Sequence, residues 1–218
     1  MATVNLISKS AHDLLEAVAY TARVSNPENQ DNEGTSEKLV RYLIRHKHWS
    51  PFEMVSICLE IETTRDIARQ IIRHRSFAFQ EFSQRYAKPD LLGNPIYREA
   101  RKQDPKNRQN SIRIEDDPYL HQEWLVKQRN AWEGAKTAYD WAISKGIAKE
   151  QARAVMPEGL TPSRIYMNGT LRSWIHYIDL RSANGTQLEH QKVAIACANA
   201  IDPVFPMIME FVNESDAL

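Results

Sequence analysis

Arg73, His74, Arg75, Glu81, Ser83, Gln84, Arg85 and Tyr86 fall within one short stretch, RHRSFAFQEFSQRY, with Phe77, Phe79 and Phe82 interleaved. Arg65, Arg69 and Gln70 lie just upstream. Arg65, Arg69 and Arg73 recur every four residues, a spacing that puts them on one face of a helix. Guanidiniums stacked in this way repel one another unless an anion lies among them, and their planar forks match phosphate oxygens. The chemistry indicated is capture of a phosphorylated ligand. A solvated basic helix face with a few anchoring aromatics is the competing reading of the same composition.

The order Arg-His-Arg, then Ser83, Arg85 and Tyr86, closely resembles the signature RHRxxSxNxxSxRY of the flavin-dependent thymidylate synthases (the ThyX family). The resemblance extends over about residues 10 to 212. His48-Trp49-Ser50-Pro51-Phe52-Glu53 is similar to the family's H-x-[ST]-P-F-E element, and Ala152-Arg153 with Pro157 to its A-R-x-x-x-P segment. Leu171-Arg172-Ser173 and Leu180-Arg181, followed by Gln187 and Glu189, resemble its C-terminal helical segment. Separate blocks in the right order are far more specific than a bare Arg-His-Arg.

What the resemblance implies is conversion of dUMP to dTMP, with methylenetetrahydrofolate as carbon donor, FAD as the bound cofactor and NADPH as reductant. It implies a substrate site of Gln70, Arg73, Glu81, Ser83, Gln84, Arg85, Arg153 and Arg181. In that set Arg85 and Arg153 meet the phosphate, and Gln70 meets the pyrimidine edge. Arg181 is the implied catalytic residue: a guanidinium that keeps its charge at working pH favours the ionised imide and so loads electron density onto the ring. The implied FAD contacts are Ser50, His74, Arg75, Ser76, Glu81, Thr170, Arg172 and His176, with Thr170 offering donors at a helix N-terminus. The family's fold, an α+β domain of helices around a mixed sheet, and its homotetrameric assembly are implied in the same way. No protein nucleophile, metal, nucleic acid or membrane belongs to this reading.

Departures from the pattern mark where the reading is open. Ala78 replaces the first motif serine and Gln80 the asparagine, Met54 stands where the family usually has histidine, and Gly185-Thr186 where it often has His-Ala. A related flavoenzyme making another 5-substituted dUMP, such as the hydroxymethyl product, would keep the same arginines. A different class, a nucleic-acid-binding module, would use Arg65, Arg69, Arg73 and Arg75 with Phe77 as a basic stacking surface. A metal hydrolase would need His46, His48, Glu53 and Glu60, but His-x-His at a helix end points its rings apart.

Bulk properties narrow these classes. Lys plus Arg and Asp plus Glu both number 28, for a formal net charge of zero. That balance argues for a local anion site over a long nucleic-acid track. With seven glycines and no GxGxxG there is no Rossmann fingerprint, so any flavin must be held by side chains and helix ends. Cys58 and Cys197 are far apart and read as core. No secretory segment and no run of about 18 apolar residues appears, which points to a cytoplasmic protein, in a host cytoplasm if virus-encoded.

The elements that must carry these residues follow from periodicity. Apolar stripes predict helices over residues 12–23 and 36–46, and Val55, Ile57, Leu59 and Ile61 alternating with polar residues predict a strand. Residues 65–74 read as a helix burying Ile67, Ile71 and Ile72, and the rest of the motif as a shaped loop or irregular strand. The polar stretch 88–117 reads as a surface insert in a single domain spanning residues 1–218. A long helix over 120–145 stops at Gly146. A short helix through Arg153 ends before Pro157, and 164–167 read as a strand. Thr170 caps a helix to Ser182, and a last helix spans 187–201. Trp124, Trp132, Trp141 and Trp174 serve either an interface or the core.

Overall fold

The computed structural model describes residues 2–213. Its centre is a four-stranded sheet of β1 (Thr3–Lys9), β2 (Ser56–Thr64), β6 (Pro162–Thr170) and β3 (Phe77–Glu81), in the order β1-β2-β6-β3. The other elements are α1 (Leu14–Ala22), α2 (Ser36–Arg45), α3 (Arg65–Ile71), a hairpin of β4 (Arg101–Gln103) and β5 (Ser111–Arg113), α4 (Pro118–Ser144), α5 (Lys149–Ala152), α6 (Leu171–Ser182) and α7 (Leu188–Ile201). Every pairing in the sheet is antiparallel, so the expected α+β class stands while the sheet is not mixed.

Alternation along β2 decides which face is wet. Ile57, Leu59 and Ile61 are fully buried, as are Ile165 and Met167 beside them on β6. They pack with Leu14, Val18, Trp174, Ile178 and Val193 into one apolar layer under α1, α6 and α7. Trp174 is fully buried yet keeps its indole N–H satisfied by the Ile57 carbonyl at 3.0 Å. Burying such a ring contributes roughly 2–3 kcal/mol, provided that the N–H finds an acceptor. The opposite face is polar: Tyr166 donates to Glu60 at 2.7 Å, and Arg164 pairs with Glu62. Cys58 lies in this alternate register and is only partly buried, which corrects its placement in the core; Cys197 is fully buried.

Several boundaries moved for identifiable reasons. α3 ends at Ile71, where Ile72 turns out to solvent instead of joining the core. β6 runs from 162 to 170 because its full length pairs with β2, a longer strand than local pattern indicated. Gly146 takes φ +77, the left-handed turn that ends a helix after Lys145. Trp174 and Trp132 are buried, whereas Trp124 and Trp141 are exposed.

The polar stretch 88–117 is more structured than a free surface excursion. Pro89, Ala100 and Ile114 are buried, and β4 pairs with β5. Gln103 aims its amide at the carbonyls of Asn110 (3.1 Å), Arg108 (3.2 Å) and Asp104 (3.2 Å), closing the hairpin loop from inside. Asn110 reaches Asn184 on the α6–α7 turn at 2.7 Å. Arg98 and Arg101 both meet Glu189 on α7, and Arg98 also meets Asp66 at 2.8 Å. These charges dock the segment onto the ends of α3 and α7.

Candidate active site

The Arg-His-Arg segment turns out of α3 and enters β3, and two contacts lay it along α6. At one end Ser173 donates to the Ser76 carbonyl at 3.3 Å. At the other, Arg181 donates through Nε to His74 Nε2 at 2.9 Å. β3 holds close because Gly169 faces Phe77 across the ladder: a Cβ there would come within 2.6 Å of Phe77 Cε1. Phe77 in turn packs on Trp174, ring centroids 4.8 Å apart. Burial first, then the charges of Arg181 and Arg73, push the His74 imidazole down to about 4, so it is neutral at physiological pH. Arg73 and Arg75 are exposed and enter no ion pair among the described residues.

Beside His74, Gln70 donates to Gln187 Oε1 at 2.8 Å, and its own carbonyl oxygen lies 3.2 Å from His190 Nδ1. His190 Nε2 lies 3.1 Å from the Tyr177 hydroxyl, and both groups are buried. Gln187 donates to Glu189 at 2.9 Å. Burial first, then the charges of Arg181 and His74, lower His190 to about 3. Burial opposes ionisation of Glu189, but the Gln187 hydrogen bond with the Arg98 and Arg101 charges more than offsets it, and its carboxyl sits below the usual range.

A second group forms where the motif ends. Arg85 faces Glu150 at 3.6 Å, three residues before Arg153 at the end of α5. Ser83 Oγ caps the Arg85 N–H at 3.4 Å. Gln84 is almost wholly buried, and its Nε2 has no partner. A buried donor without an acceptor is costly, and it fits a site that takes an oxygen-rich ligand. Glu81 accepts from Ser163 at 2.9 Å and lies 3.9 Å from Arg65.

A third group surrounds the start of α6. Thr170 caps the helix, accepting from the Ser173 N–H at 3.2 Å. Arg172 pairs with Glu53 of the short turn Ser50–Glu53, and His176, one turn on, meets the edge of Trp49 at 5.1 Å between centroids. The Thr170 hydroxyl, the Arg172 cation and the flat rings of Trp49 and His176 form a donor set suited to phosphates and a planar cofactor, and Ser50 opens the turn whose Glu53 meets Arg172. The residues present therefore fit a flavin.

The fold thus brings Gln70, His74 and Arg181 together, Glu81, Ser83, Gln84, Arg85 and Arg153 toward the motif's end, and Ser50, Ser76, Thr170, Arg172 and His176 at the α6 N-terminus. No hydrogen bond or ion pair among the described residues joins Arg85 or Arg153 to Gln70 or Arg181. Arg65 and Arg69 both meet Glu158, Arg69 at 2.6 Å. That neutralisation, and Phe77 being packed against Trp174, remove much of the surface that a nucleic-acid module would need. His46 stacks on Tyr42 at 4.2 Å, and no cluster of three metal-ligating side chains occurs among the described residues. Gln187, Glu189 and His190 were legible only as part of a helical segment; the Gln-x-Glu-His pattern opening α7 was the available signal for their polar role. Arg98 and Arg101 carried no such signal.

A sheet-and-helix scaffold with an arginine-rich group suited to a phosphorylated ligand, and residues that fit a flavin, define the class. The protein-family model described as "Thymidylate synthase complementing protein" matches residues 5–207, and the chain belongs to that family, the flavin-dependent thymidylate synthases. It is 51% identical over 200 residues to a probable flavin-dependent thymidylate synthase of Paramecium bursaria Chlorella virus 1, covering 91% of this chain and 90% of that one. It is 47% identical over 192 residues to the flavin-dependent thymidylate synthase of a Synechocystis strain, covering 88% of this chain and 86% of the other. Among solved structures it resembles a UMP/dUMP methylase, PolB, from Streptomyces cacaoi bound with 5-Br dUMP. That match has a TM-score of 0.82 and 31% identity, covering 97% of this chain and 94% of that one.

Proposed function

We propose that this protein converts dUMP to dTMP, taking the one-carbon unit from methylenetetrahydrofolate and the reducing equivalents from NADPH. The observation that carries the reading is the Arg181–His74 contact, which ties a permanent cation to the Arg-His-Arg segment that follows Gln70. Arg85 and Arg153, with Ser83 and the unpartnered Gln84 amide, hold the nucleotide phosphate. Arg73 and Glu81 line the same substrate. Gln70 bonds the pyrimidine edge, and Arg181 stabilises the negative charge that develops on the imide, making C5 electron-rich.

Ser50, His74, Arg75, Ser76, Glu81, Thr170, Arg172 and His176 would hold FAD, which supplies hydride transfer when bound. Neither cysteine serves as nucleophile: burial raises both thiols above their ordinary value, and Cys197 has no exposed surface. The enzyme works as a homotetramer in the cytoplasm. Exposed Trp124, Trp141, Tyr119 and Leu180 supply apolar surface for assembly, and no helix among the described residues is long and apolar enough to cross a membrane.

The test is product identification by mass from dUMP, methylenetetrahydrofolate and NADPH with the FAD-loaded protein. dTMP is the expected product. Hydroxymethyl-dUMP would reassign the carbon chemistry, in keeping with the substitutions at Ala78, Gln80, Met54 and Gly185. Absence of any dUMP-dependent NADPH oxidation would overturn the reading.

A further inference from the structure

Glu189 is not among the proposed substrate groups, yet it is joined to Gln70 by consecutive hydrogen bonds through Gln187, and the polarity of that chain can be worked out from one end. An ionised carboxylate only accepts. Glu189 is held ionised by Arg98 and Arg101, so the Gln187 amide must turn its N–H toward it, as the 2.9 Å contact requires. The Gln187 oxygen then faces Gln70, which must present its own N–H, at 2.8 Å. The Gln70 oxygen is thereby turned to His190 Nδ1, at 3.2 Å, and must receive a proton from it. A neutral His190 carrying hydrogen on Nδ1 has a bare Nε2, which accepts from the Tyr177 hydroxyl at 3.1 Å. Burial keeps that imidazole neutral. Reversing either amide would set oxygen against oxygen somewhere along the line.

We infer that Glu189 fixes which way round the Gln70 amide is presented, and so makes the pyrimidine site prefer uracil over cytosine. After its two internal bonds Gln70 retains one N–H and one carbonyl lone pair. Uracil offers a carbonyl acceptor beside an N3–H donor, whereas cytosine offers an amino donor beside an N3 acceptor. The two edges require opposite orientations of the amide. An unanchored glutamine would rotate to satisfy either; one held from behind rejects the wrong edge by leaving polar groups unpaired. Glu189, Gln187 and His190 act here as positioning residues, and the Arg98 ion pair is enough to keep the carboxylate charged. The inference rests on the dUMP reading given above.

The experiment compares dUMP and dCMP affinities of the FAD-loaded protein by calorimetry, with the nitrogen-15 spectrum of selectively labelled histidine recorded alongside. Glu189→Gln keeps the shape but can donate as well as accept. Its preference for dUMP over dCMP should fall by about tenfold or more, and the His190 signal should change from the Nδ1–H tautomer to a mixture. Arg101→Gln weakens hairpin docking but leaves the Glu189 carboxylate its Arg98 ion pair at 3.1 Å, and should keep the preference within about threefold of wild type. A Glu189→Gln protein with undiminished preference, or an Arg101→Gln protein that loses as much, would overturn the inference while leaving the functional reading intact. An Nε2–H tautomer in the wild type would overturn it as well. A wild type that binds neither nucleotide would instead overturn the functional reading, and the histidine spectrum would still decide the relay.

Discussion

Arg181 donates to His74 through its Nε, which leaves both terminal nitrogens of the guanidinium free of that bond. The histidine therefore fixes the arginine's plane, and the two forward nitrogens can address a substrate edge. Lysine has no such plane. Arg181→Lys should lower the single-turnover rate about a hundredfold while weakening dUMP binding much less, because the charge is needed most in the transition state. Rapid mixing of reduced enzyme with dUMP and methylenetetrahydrofolate, beside a dUMP titration, measures both. An affinity loss as large as the rate loss would make Arg181 a plain binding residue.

The Arg85 guanidinium has a single ion pair among the described residues, with Glu150, and is well exposed, so its removal should leave the fold intact. Losing a phosphate ligand costs about 2 kcal/mol or more, so Arg85→Ala should bind dUMP about thirtyfold more weakly at least. Calorimetry that finds the affinity within about threefold of wild type would remove Arg85 from the phosphate site.

His74 and His190 give a pH signature. Their folded values, about 4 and about 3, lie below the ordinary 6.5. As pH falls below about 6.5 the unfolded chain takes up protons that the folded chain refuses, so stability is lost progressively, down to about 4 for His74 and about 3 for His190. Urea unfolding across this window should show the loss, and His190→Gln should flatten it relative to its own value at neutral pH. A curve for that variant as steep as the wild type's would place His190 elsewhere than in a dry, neutral environment.

Gly169→Ala should be disruptive out of proportion to one methyl group. Phe77 must move off the ladder, at a cost of about 1–3 kcal/mol, and Ser76 and His74 move with it. Thermal unfolding and FAD titration should both suffer. A variant with wild-type melting temperature would show that the ring relaxes freely.

Replacing Cys58 and Cys197 together by alanine should keep turnover within about twofold once a stability loss of about 1–2 kcal/mol is allowed for. Loss of turnover in a well-folded, FAD-loaded double variant would contradict the absence of a protein nucleophile.

What the sequence makes legible here is local. The alternation of β2 assigned its buried face, Thr170 and Gly146 marked helix ends, and the motif located the arginines. Periodicity assigns faces but not partners, which is why the β2–β6 ladder, joining residues about a hundred positions apart, set the full length of β6 unseen. The same limit explains Arg65 and Arg69, whose helical spacing was correct but whose neutralising Glu158 comes from a distant loop. Cys58 was assigned by residue type when its place in the alternation already put it on the polar face. The docking of Arg98 and Arg101 onto Glu189 leaves no period at all, since an ion pair between a loop and a helix end repeats nothing.

α6 carries Arg172 near its first turn and Arg181 near its last, nine positions further along the chain. At about 1.5 Å per residue the helix acts as a gauge block of roughly 14 Å between the proposed cofactor end and the proposed pyrimidine end. Adding or removing one residue inside it would change that length by about 1.5 Å and swing Arg181 by about 100° away from His74. Length change is therefore tolerable in the hairpin, whose loop is closed by its own Gln103, but not along α6, where spacing and bearing are set together.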